Sequence, residues 1–177
     1  MFESKYKSNW VMVDIEADGP APGLYSMVTV GAVVVEDGLN RKFYAKIKPI
    51  SENWIAGALA VSGFTREETM EFGPGEIEIP RLNDWVKELG IDKPRFISDN
   101  NGFDWQFVNY YLWKFVNDNP FGHSSTNLGS FYKGILRDFR KHFKFLREGR
   151  HTHNALEDAV GNAQAMLKIL EKYNVKG

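Results

Sequence analysis

The chain has 177 residues, of which 43% are hydrophobic and 25% charged, and its 22 basic and 23 acidic residues give a net charge of −1. This length and composition are ordinary for a globular protein, and we expect a single domain over residues 1–177. The absence of cysteine excludes disulfides and thiolate metal sites. No apolar stretch is long enough to span a bilayer or to form a signal peptide, so we expect a cytoplasmic protein with no membrane partner.

The first part of the chain predicts three strands. A short apolar run at residues 10–15 is typical of a buried strand, and a second run covers residues 27–36. A turn signal separates the second run from a third, alternating strand at residues 42–47, which Pro49 ends. These short connections favour an antiparallel meander.

The rest of the chain predicts mainly helices. Apolar residues recur at helical spacing between residues 76 and 89, where Pro80 is expected in the first turn, and residues 95–98 resemble a short strand. Further helices are expected at residues 103–116, 130–146 and 154–173. Three strands followed by alternating helices and a strand indicate an α/β fold in which helices flank a mixed sheet.

An acid pair stands at the end of the first predicted strand. Side chains two residues apart on a strand point to the same face, so Asp14 and Glu16 project together while Ile15 points to the other face. Buried acids without a partner would be costly, which favours a bound cation. In the alternative interpretation this end of the strand is exposed and both carboxylates are solvated.

Two further motifs carry ionisable groups. Asp104 follows a polar turn containing Asn100, and in isolation it is explained better as an ordinary helix cap. His153 and Asp158 flank a predicted loop-to-helix junction, where each alone could be a solvated side chain. His151 and His153 form a His-x-His pair, but a zinc site would lack a third nitrogen or sulfur ligand.

Considered together, these groups predict a metal-dependent phosphodiester hydrolase. A cluster of carboxylates can hold two hard cations such as magnesium side by side, because these ions prefer oxygen ligands. A histidine beside such a cluster can take a proton from an attacking water near neutral pH. The prediction depends on a fold that brings the three motifs to one place.

The three motifs resemble those of the DEDD superfamily of 3′-to-5′ exonucleases, in the histidine-containing branch with RNase T, oligoribonuclease and proofreading exonuclease subunits. The family pattern Asp-x-Glu is matched by Asp14 and Glu16, and the pattern Asn-x-x-Phe-Asp is matched by Asn100, Phe103 and Asp104. The third pattern, His-x-Ala-Leu-x-Asp-Ala, is matched by His153, Ala155, Leu156, Asp158 and Ala159. Residues 59–68 also resemble the family's segment after the third strand. The turn Ala17-Asp18-Gly19 departs from the Thr-Gly of many relatives.

The resemblance implies a ribonuclease H-like sheet, with three antiparallel N-terminal strands followed by parallel strands, and a two-metal hydrolysis. Nucleoside 5′-monophosphates would be released from the 3′ ends of single-stranded RNA or DNA with two divalent cations, Mg²⁺ or Mn²⁺. Asp14 would bridge both ions, Glu16 and Asp158 would complete the first site, and Asp104 would support the second. His153 would be the general base.

The resemblance also implies contacts with the substrate. The backbone at Ala17 is expected to meet the 3′-terminal ribose, and Phe64 is a candidate stacking platform for unpaired bases. Asn100 and Phe103 belong to the second motif and are expected beside the substrate.

A basic stripe lies on the helix predicted at residues 130–146 and just beyond it. Its members recur at helical spacing and are Arg137, Arg140, Lys144 and Arg147. Such a stripe could follow the phosphate backbone of a nucleic acid. The alternative is a solvated face of an amphipathic helix.

Several functional alternatives stay open at this point. Small size and overall resemblance favour RNA, but no residue can be tied to a 2′-hydroxyl, so a proofreading or repair exonuclease acting on single-stranded DNA remains an alternative. A catalytically silent nucleic-acid-binding module and an interaction subunit of a polymerase are further alternatives. A homodimer is compatible with the resemblance, although no residue indicates it.

Overall fold

A mixed five-stranded sheet forms the centre of the computed structural model, which describes residues 9–150 and 152–175. The strands are β1 (Trp10–Ala17), β2 (Met27–Val34), β3 (Lys42–Lys46), β4 (Arg95–Ser98) and β5 (Ser125–Asn127). Their order in the sheet is β3-β2-β1-β4-β5. The β1–β2 and β2–β3 pairs are antiparallel, whereas β1–β4 and β4–β5 are parallel. The predicted fold class is confirmed.

Helices cover both faces of this sheet. They are α1 (Ala56–Val61), α2 (Arg66–Met70), α3 (Gly75–Glu88), α4 (Asn101–Phe115), α5 (Leu128–Leu136) and α6 (Ala155–Lys172), with a 3₁₀ turn at Lys144–Leu146. The first core packs α3 and α4 against one face of the sheet, and the second core packs α5 and α6 against the other. Among the residues described, no helix combines the length and apolar character needed to cross a membrane.

Two details of the predicted helices are wrong. Because α3 begins at Gly75, Pro80 lies in its second turn rather than its first. A proline there removes the hydrogen bond to the Glu76 carbonyl, yet the helix continues to Glu88.

The helix expected over residues 130–146 ends ten residues early. Arg137 follows Leu136 with φ of 53°, and this left-handed conformation turns the chain out of α5. We call residues 137–150 the connector, since they join α5 to the loop before α6. The predicted basic stripe therefore does not lie on one helix face, and that prediction is corrected.

Strand β1 directs its acids towards α6. Along β1 the residues Val11, Val13 and Ile15 belong to the first core, whereas Met12 belongs to the second. Side chains alternate across a strand, so Asp14 and Glu16 lie on the same face as Met12, as predicted. Helix α6 packs on β1 and β2 on this face.

Gly31 on β2 permits the close approach of α6 to the sheet. Gly31 pairs with Asp14 in the β1–β2 ladder. A Cβ atom at Gly31 would lie 2.3 Å from the Leu156 nitrogen and 2.4 Å from the carbonyl carbon of Ala155. Only glycine allows this contact between backbones. The first turn of α6 is thereby held directly over the acid-bearing end of β1.

Replacing Gly31 by alanine should displace α6 and lower the free energy of unfolding by about 1–3 kcal/mol, the usual cost of overpacking. Chemical denaturation measures this change. Gly134→Ala in α5 is the control, because a Cβ there meets nothing within 4 Å and alanine favours a helix by about 0.5–1 kcal/mol. Equal stability of Gly31→Ala and the parent would contradict the steric argument.

Candidate active site

The first acid pair is buried rather than solvated. Asp14 and Glu16 are each 9% exposed, so the alternative of a solvated strand end is wrong. Burial raises the pKa of Asp14 well above its usual value, and the charges of Asp104, Glu16 and Asp158 raise it further. Burial, followed by the charges of Asp158 and Asp104, raises the pKa of Glu16 to about 8. The protein thus holds carboxyl groups where ionisation is opposed.

Asp104 belongs to the same cluster and is not a helix cap. Helix α4 begins at Asn101 with Asn100 at its cap position, so Asp104 lies within the helix, where it is only 2% exposed. Burial raises its pKa to about 7, although hydrogen bonds from Ser98 and from the Ile15 backbone act in the opposite direction. Its Oδ2 atom is buried and has no hydrogen-bond partner among the described residues.

The carboxylate of Asp158 is held by the loop that precedes α6. The backbone N–H of Thr152 donates to Asp158 Oδ1 at 3.1 Å, and that of His153 donates to Oδ2 at 2.8 Å. Asn154 caps the helix, and its side chain accepts hydrogen bonds from the backbone N–H groups of Leu156 and Glu157. Asp158 is therefore fixed at the start of α6 and fixes the loop in turn.

His153 stands at the open side of the cluster. Its Nδ1 atom lies 3.9 Å from Glu16 Oε1, and 45% of its side chain is exposed. Its backbone is left-handed, with φ of 57°. One ligand atom from each of Glu16, His153 and Asp158 lies within 4.8 Å of the others, a spacing that could hold a metal ion. His151 lies outside the described residues, so the His-x-His interpretation is untested.

The donor set of this cluster fits divalent cations that prefer oxygen ligands. Four carboxyl groups lie together on β1, α4 and α6, and burial opposes the ionisation of Asp14, Glu16 and Asp104 unless positive charge is supplied. The unpartnered Oδ2 of Asp104 offers an oxygen that the protein itself leaves unused. An oxygen-rich site of this kind suits magnesium or manganese better than zinc.

The turn after the acid pair is organised by a buried ion pair that the sequence did not suggest. Asp18 is fully buried, accepts the Ser26 N–H at 2.6 Å, and pairs with Arg66 at 2.8 Å. Asp18 stands where many relatives have threonine. This departure from the family pattern was the feature of the sequence that could have pointed to the ion pair. The pair joins the end of β1 to the start of α2, beside buried Ala17.

The predicted stacking residue Phe64 lies at the β3 side of the site. Its ring meets Phe72 edge-on, with centroids 5.1 Å apart, and Lys46 Nζ lies 4.7 Å from its centroid. Lys46 pairs with Thr29, which pairs with Glu16 across the sheet. Directly opposed residues share a face, so Lys46 lies on the same face as the acids.

Tyr44 is a second residue on this face that sequence reasoning missed. It pairs with Gly31, which pairs with Asp14. Burial raises the pKa of Tyr44, and the negative charges of Glu16 and Glu157 raise it further. The sequence could have indicated the position of Tyr44, because aligning the three predicted strands in register places Tyr44 and Asp14 on the same face of the sheet.

The remaining predicted substrate residues have mainly structural contacts. The Asn100 carbonyl accepts the N–H groups of Phe103 and Asp104. The ring of Phe103 packs against Phe107, with centroids 5.1 Å apart, at the border of the first core.

Members of the predicted basic stripe form ion pairs. Lys144 Nζ and Arg147 Nη2 lie 3.3 Å and 3.0 Å from Asp99 Oδ2. Arg140 pairs with Asp138 at 3.0 Å. Two of the four cations therefore fasten the connector to the turn that precedes Asp104.

Similarity to known proteins extends over most of the chain. Residues 11–166 match the family model for RNase T exonucleases. The chain is 31% identical over 180 residues to Cap18, a 3′–5′ DNA exonuclease of Escherichia coli, with 96% of this chain and 95% of that protein covered.

Solved structures share the fold. The nuclease domain of 3′hExo, a DEDDh family member bound to rAMP, superposes with a TM-score of 0.73 at 15% identity over 92% of both chains. E. coli exonuclease I in complex with a dT13 oligonucleotide gives a TM-score of 0.69 at 18% identity, covering 93% of this chain and 41% of that one. These identities support the fold alone.

The raised pKa of Glu16 predicts a pH-dependent loss of stability without divalent cations. An unfolded Glu ionises near 4.5, whereas Glu16 keeps its proton to about 8 in the fold. Unfolding therefore releases a proton between these pH values, and stability falls as pH rises. Glu16→Gln should then raise the melting temperature more at pH 8 than at pH 4.5 when a chelator is present.

The matched control is Glu52→Gln, which changes an exposed glutamate in the loop before α1. It should alter the melting temperature equally little at both pH values. Adding Mg²⁺ at pH 8 should stabilise the parent more than Glu16→Gln. An equal effect of Glu16→Gln at both pH values would refute the electrostatic account.

Proposed function

This chain belongs to the RNase T exonuclease family, within the DEDD superfamily of 3′-to-5′ exonucleases, and we propose that it releases nucleoside 5′-monophosphates from single-stranded nucleic acid. The observation that carries the proposal is the convergence of four buried acids with one half-exposed histidine at the end of β1. The described residues from β1 to α6 contribute to one sheet and its covering helices, and we treat the whole chain as one exonuclease domain.

Exonucleases of this kind use divalent metal ions, and we infer two, Mg²⁺ or Mn²⁺. Asp14 would be shared between them, Glu16 and Asp158 would hold the first ion, and Asp104 would support the second. The unused Asp104 Oδ2 and the mutual repulsion of the acids support this assignment. When bound, the ions supply a reactive water and stabilise the negative charge on the leaving 3′ oxygen.

His153 is the proposed general base. Its imidazole lies beside Glu16 and 45% of the side chain is exposed, so it can take a proton from the attacking water and pass it on. The loop that carries it is fastened to Asp158 by two backbone hydrogen bonds. This connection keeps the base beside the acids before substrate arrives.

The substrate is proposed to enter along the turn after β1. The backbone at Ala17 would meet the terminal ribose, and the Asp18–Arg66 pair would hold that turn in place. Phe64 would stack on a base, with Lys46 beside it to contact a phosphate. Asn100 would act through its carbonyl by orienting the start of α4.

Single-stranded DNA is the substrate to test first. Cap18, which matches nearly the whole chain, is a DNA exonuclease. The preference for RNA expected from the sequence remains the alternative, and a homodimer and a cytoplasmic location remain predictions. A silent binding module is disfavoured, because clustered carboxylates repel phosphate unless cations are present.

The activity is tested with 5′-labelled 20-nucleotide DNA and RNA in Mg²⁺ or Mn²⁺. We expect a ladder that shortens from the 3′ end and is absent with a chelator. Asp158→Ala should abolish it, because the variant loses a proposed ligand and the fastening of the His153 loop. Oligonucleotides that stay intact yet bound under every condition would favour the binding module.

His153→Ala should lower kcat by about 10²–10⁴-fold, the usual contribution of a general base. His123→Ala is the matched control. His123 is exposed and lies just before β5, the edge strand of the sheet, and it is not a member of the acid cluster. Equal loss in both variants would indicate a general effect on the fold, and no loss in His153→Ala would exclude it as the base.

A further inference from the structure

We infer that the connector is a binding track for the nucleotides upstream of the 3′ end, where unpaired bases stack on Phe139 and Phe145 and phosphates meet the surrounding cations. The inference rests on the proposed function, since it concerns the path of the same substrate beyond the acid cluster. It assigns a binding role to a segment between α5 and α6 that contributes no proposed metal ligand and no proposed catalytic residue.

Two aromatic side chains of the connector point into solvent. Phe139 is 88% exposed and Phe145 is 64% exposed, the highest values among the large hydrophobic residues described. Phe143 lies between them and is only 1% exposed, because it packs in the second core. The segment is thus anchored by one phenylalanine and displays two others; Phe145 touches the His142 ring edge-on, with centroids 6.0 Å apart, and most of the surface of both displayed rings stays exposed.

The connector is strongly basic in a chain of net charge −1. It contains six Lys or Arg residues and two acids, a local charge of +4 that leaves −5 on the rest of the chain. Its exposed cations flank both displayed rings and are Arg137, Arg140, Lys141, Lys144 and Arg150. Even within ion pairs, the side chains of Arg140 and Lys144 are 89% and 61% exposed.

Two ion pairs and one longer-range charge interaction place the connector beside the acid cluster. Lys144 and Arg147 both pair with Asp99, which precedes the cap residue of α4. The charge of Arg147 also acts on Asp14. The connector then leads through residues 151–152 to His153. A strand with its 3′ end at the acids can therefore leave the site on the β4 side and run onto the connector.

Single-stranded nucleic acid is the occupant whose chemistry matches this surface. Its bases offer flat apolar faces that stack on aromatic rings without sequence preference, and its phosphates are neutralised by nearby cations. A duplex lacks free base faces, because its bases already stack on one another. An apolar protein partner would cover the exposed cations around both rings and offer them no negative charge of its own.

The test compares kcat/KM for a 20-nucleotide and a 4-nucleotide substrate of the same single-stranded type. The parent should prefer the longer substrate, since only that one reaches the connector. In the double variant Phe139→Ala with Phe145→Ala, this length preference should fall about tenfold or more, as expected for the loss of two stacking faces. Trp113→Ala on α4, which also removes an exposed aromatic ring, is the control.

A second arm examines charge through the salt dependence of KM for the longer substrate. Arg140→Glu with Lys141→Glu should reduce the slope of log KM against log salt by about two. The matched control, Lys87→Glu with Lys172→Glu, reverses two exposed charges at the C-terminal ends of α3 and α6, and should leave the slope unchanged.

The outcomes separate the two proposals. If the parent cleaves neither substrate, the proposed function fails. If the parent cleaves with a length preference that both phenylalanine substitutions leave intact, the connector inference alone is overturned. Light scattering is measured alongside; if the substitutions dissociate a dimer and preserve the length preference, the rings bind a second copy of the chain and the inference is also overturned.

Discussion

The contact between the first turn of α6 and Gly31 on β2 is the constraint on which the rest of the site depends. It brings His153 and Asp158, near the C-terminus, to positions where each has a potential ligand atom within 4.8 Å of one on Glu16, near the N-terminus. Apolar packing holds the helix there, since Ala159, Ala163 and Met166 seat α6 in the second core. This packing offsets the repulsion that gathering four carboxyl groups creates. A side chain at Gly31 would separate the two halves of the site.

Stability and activity make opposite demands on the acid cluster. Burying Asp14, Glu16 and Asp104 raises the pKa of each, so the ionised forms are disfavoured in the absence of cations. The same burial removes competing water and strengthens every electrostatic interaction with a bound ion and a phosphate. The usual rule that carboxyl groups stay exposed or paired is often broken at functional sites in this manner.

Much of this arrangement could be read from the sequence, because strand and helix periodicity depends on local patterns. The four strands β1 to β4 and helix α6 were predicted, as was the common face of Asp14 and Glu16. β5 was missed because Ser125–Asn127 is short and polar. The helix expected beyond Leu136 failed because Ile135, Phe139 and Phe143 share a helical spacing, whereas one left-handed residue, Arg137, breaks the helix. The burial of Asp104 and the function of Gly31 arise from contacts distant in sequence, which periodicity does not encode.

Asp158 accepts two backbone hydrogen bonds, from Thr152 and His153, and its carboxylate therefore has two functions. It is a proposed ligand for an ion and also the fastening point for the segment that carries the base. Substituting Asp158 therefore also disturbs His153. The losses in transition-state stabilisation measured for the two single variants then add up to more than the loss in the double variant. The free energies assigned to ion binding and to proton transfer in this protein are consequently not separable by single substitutions.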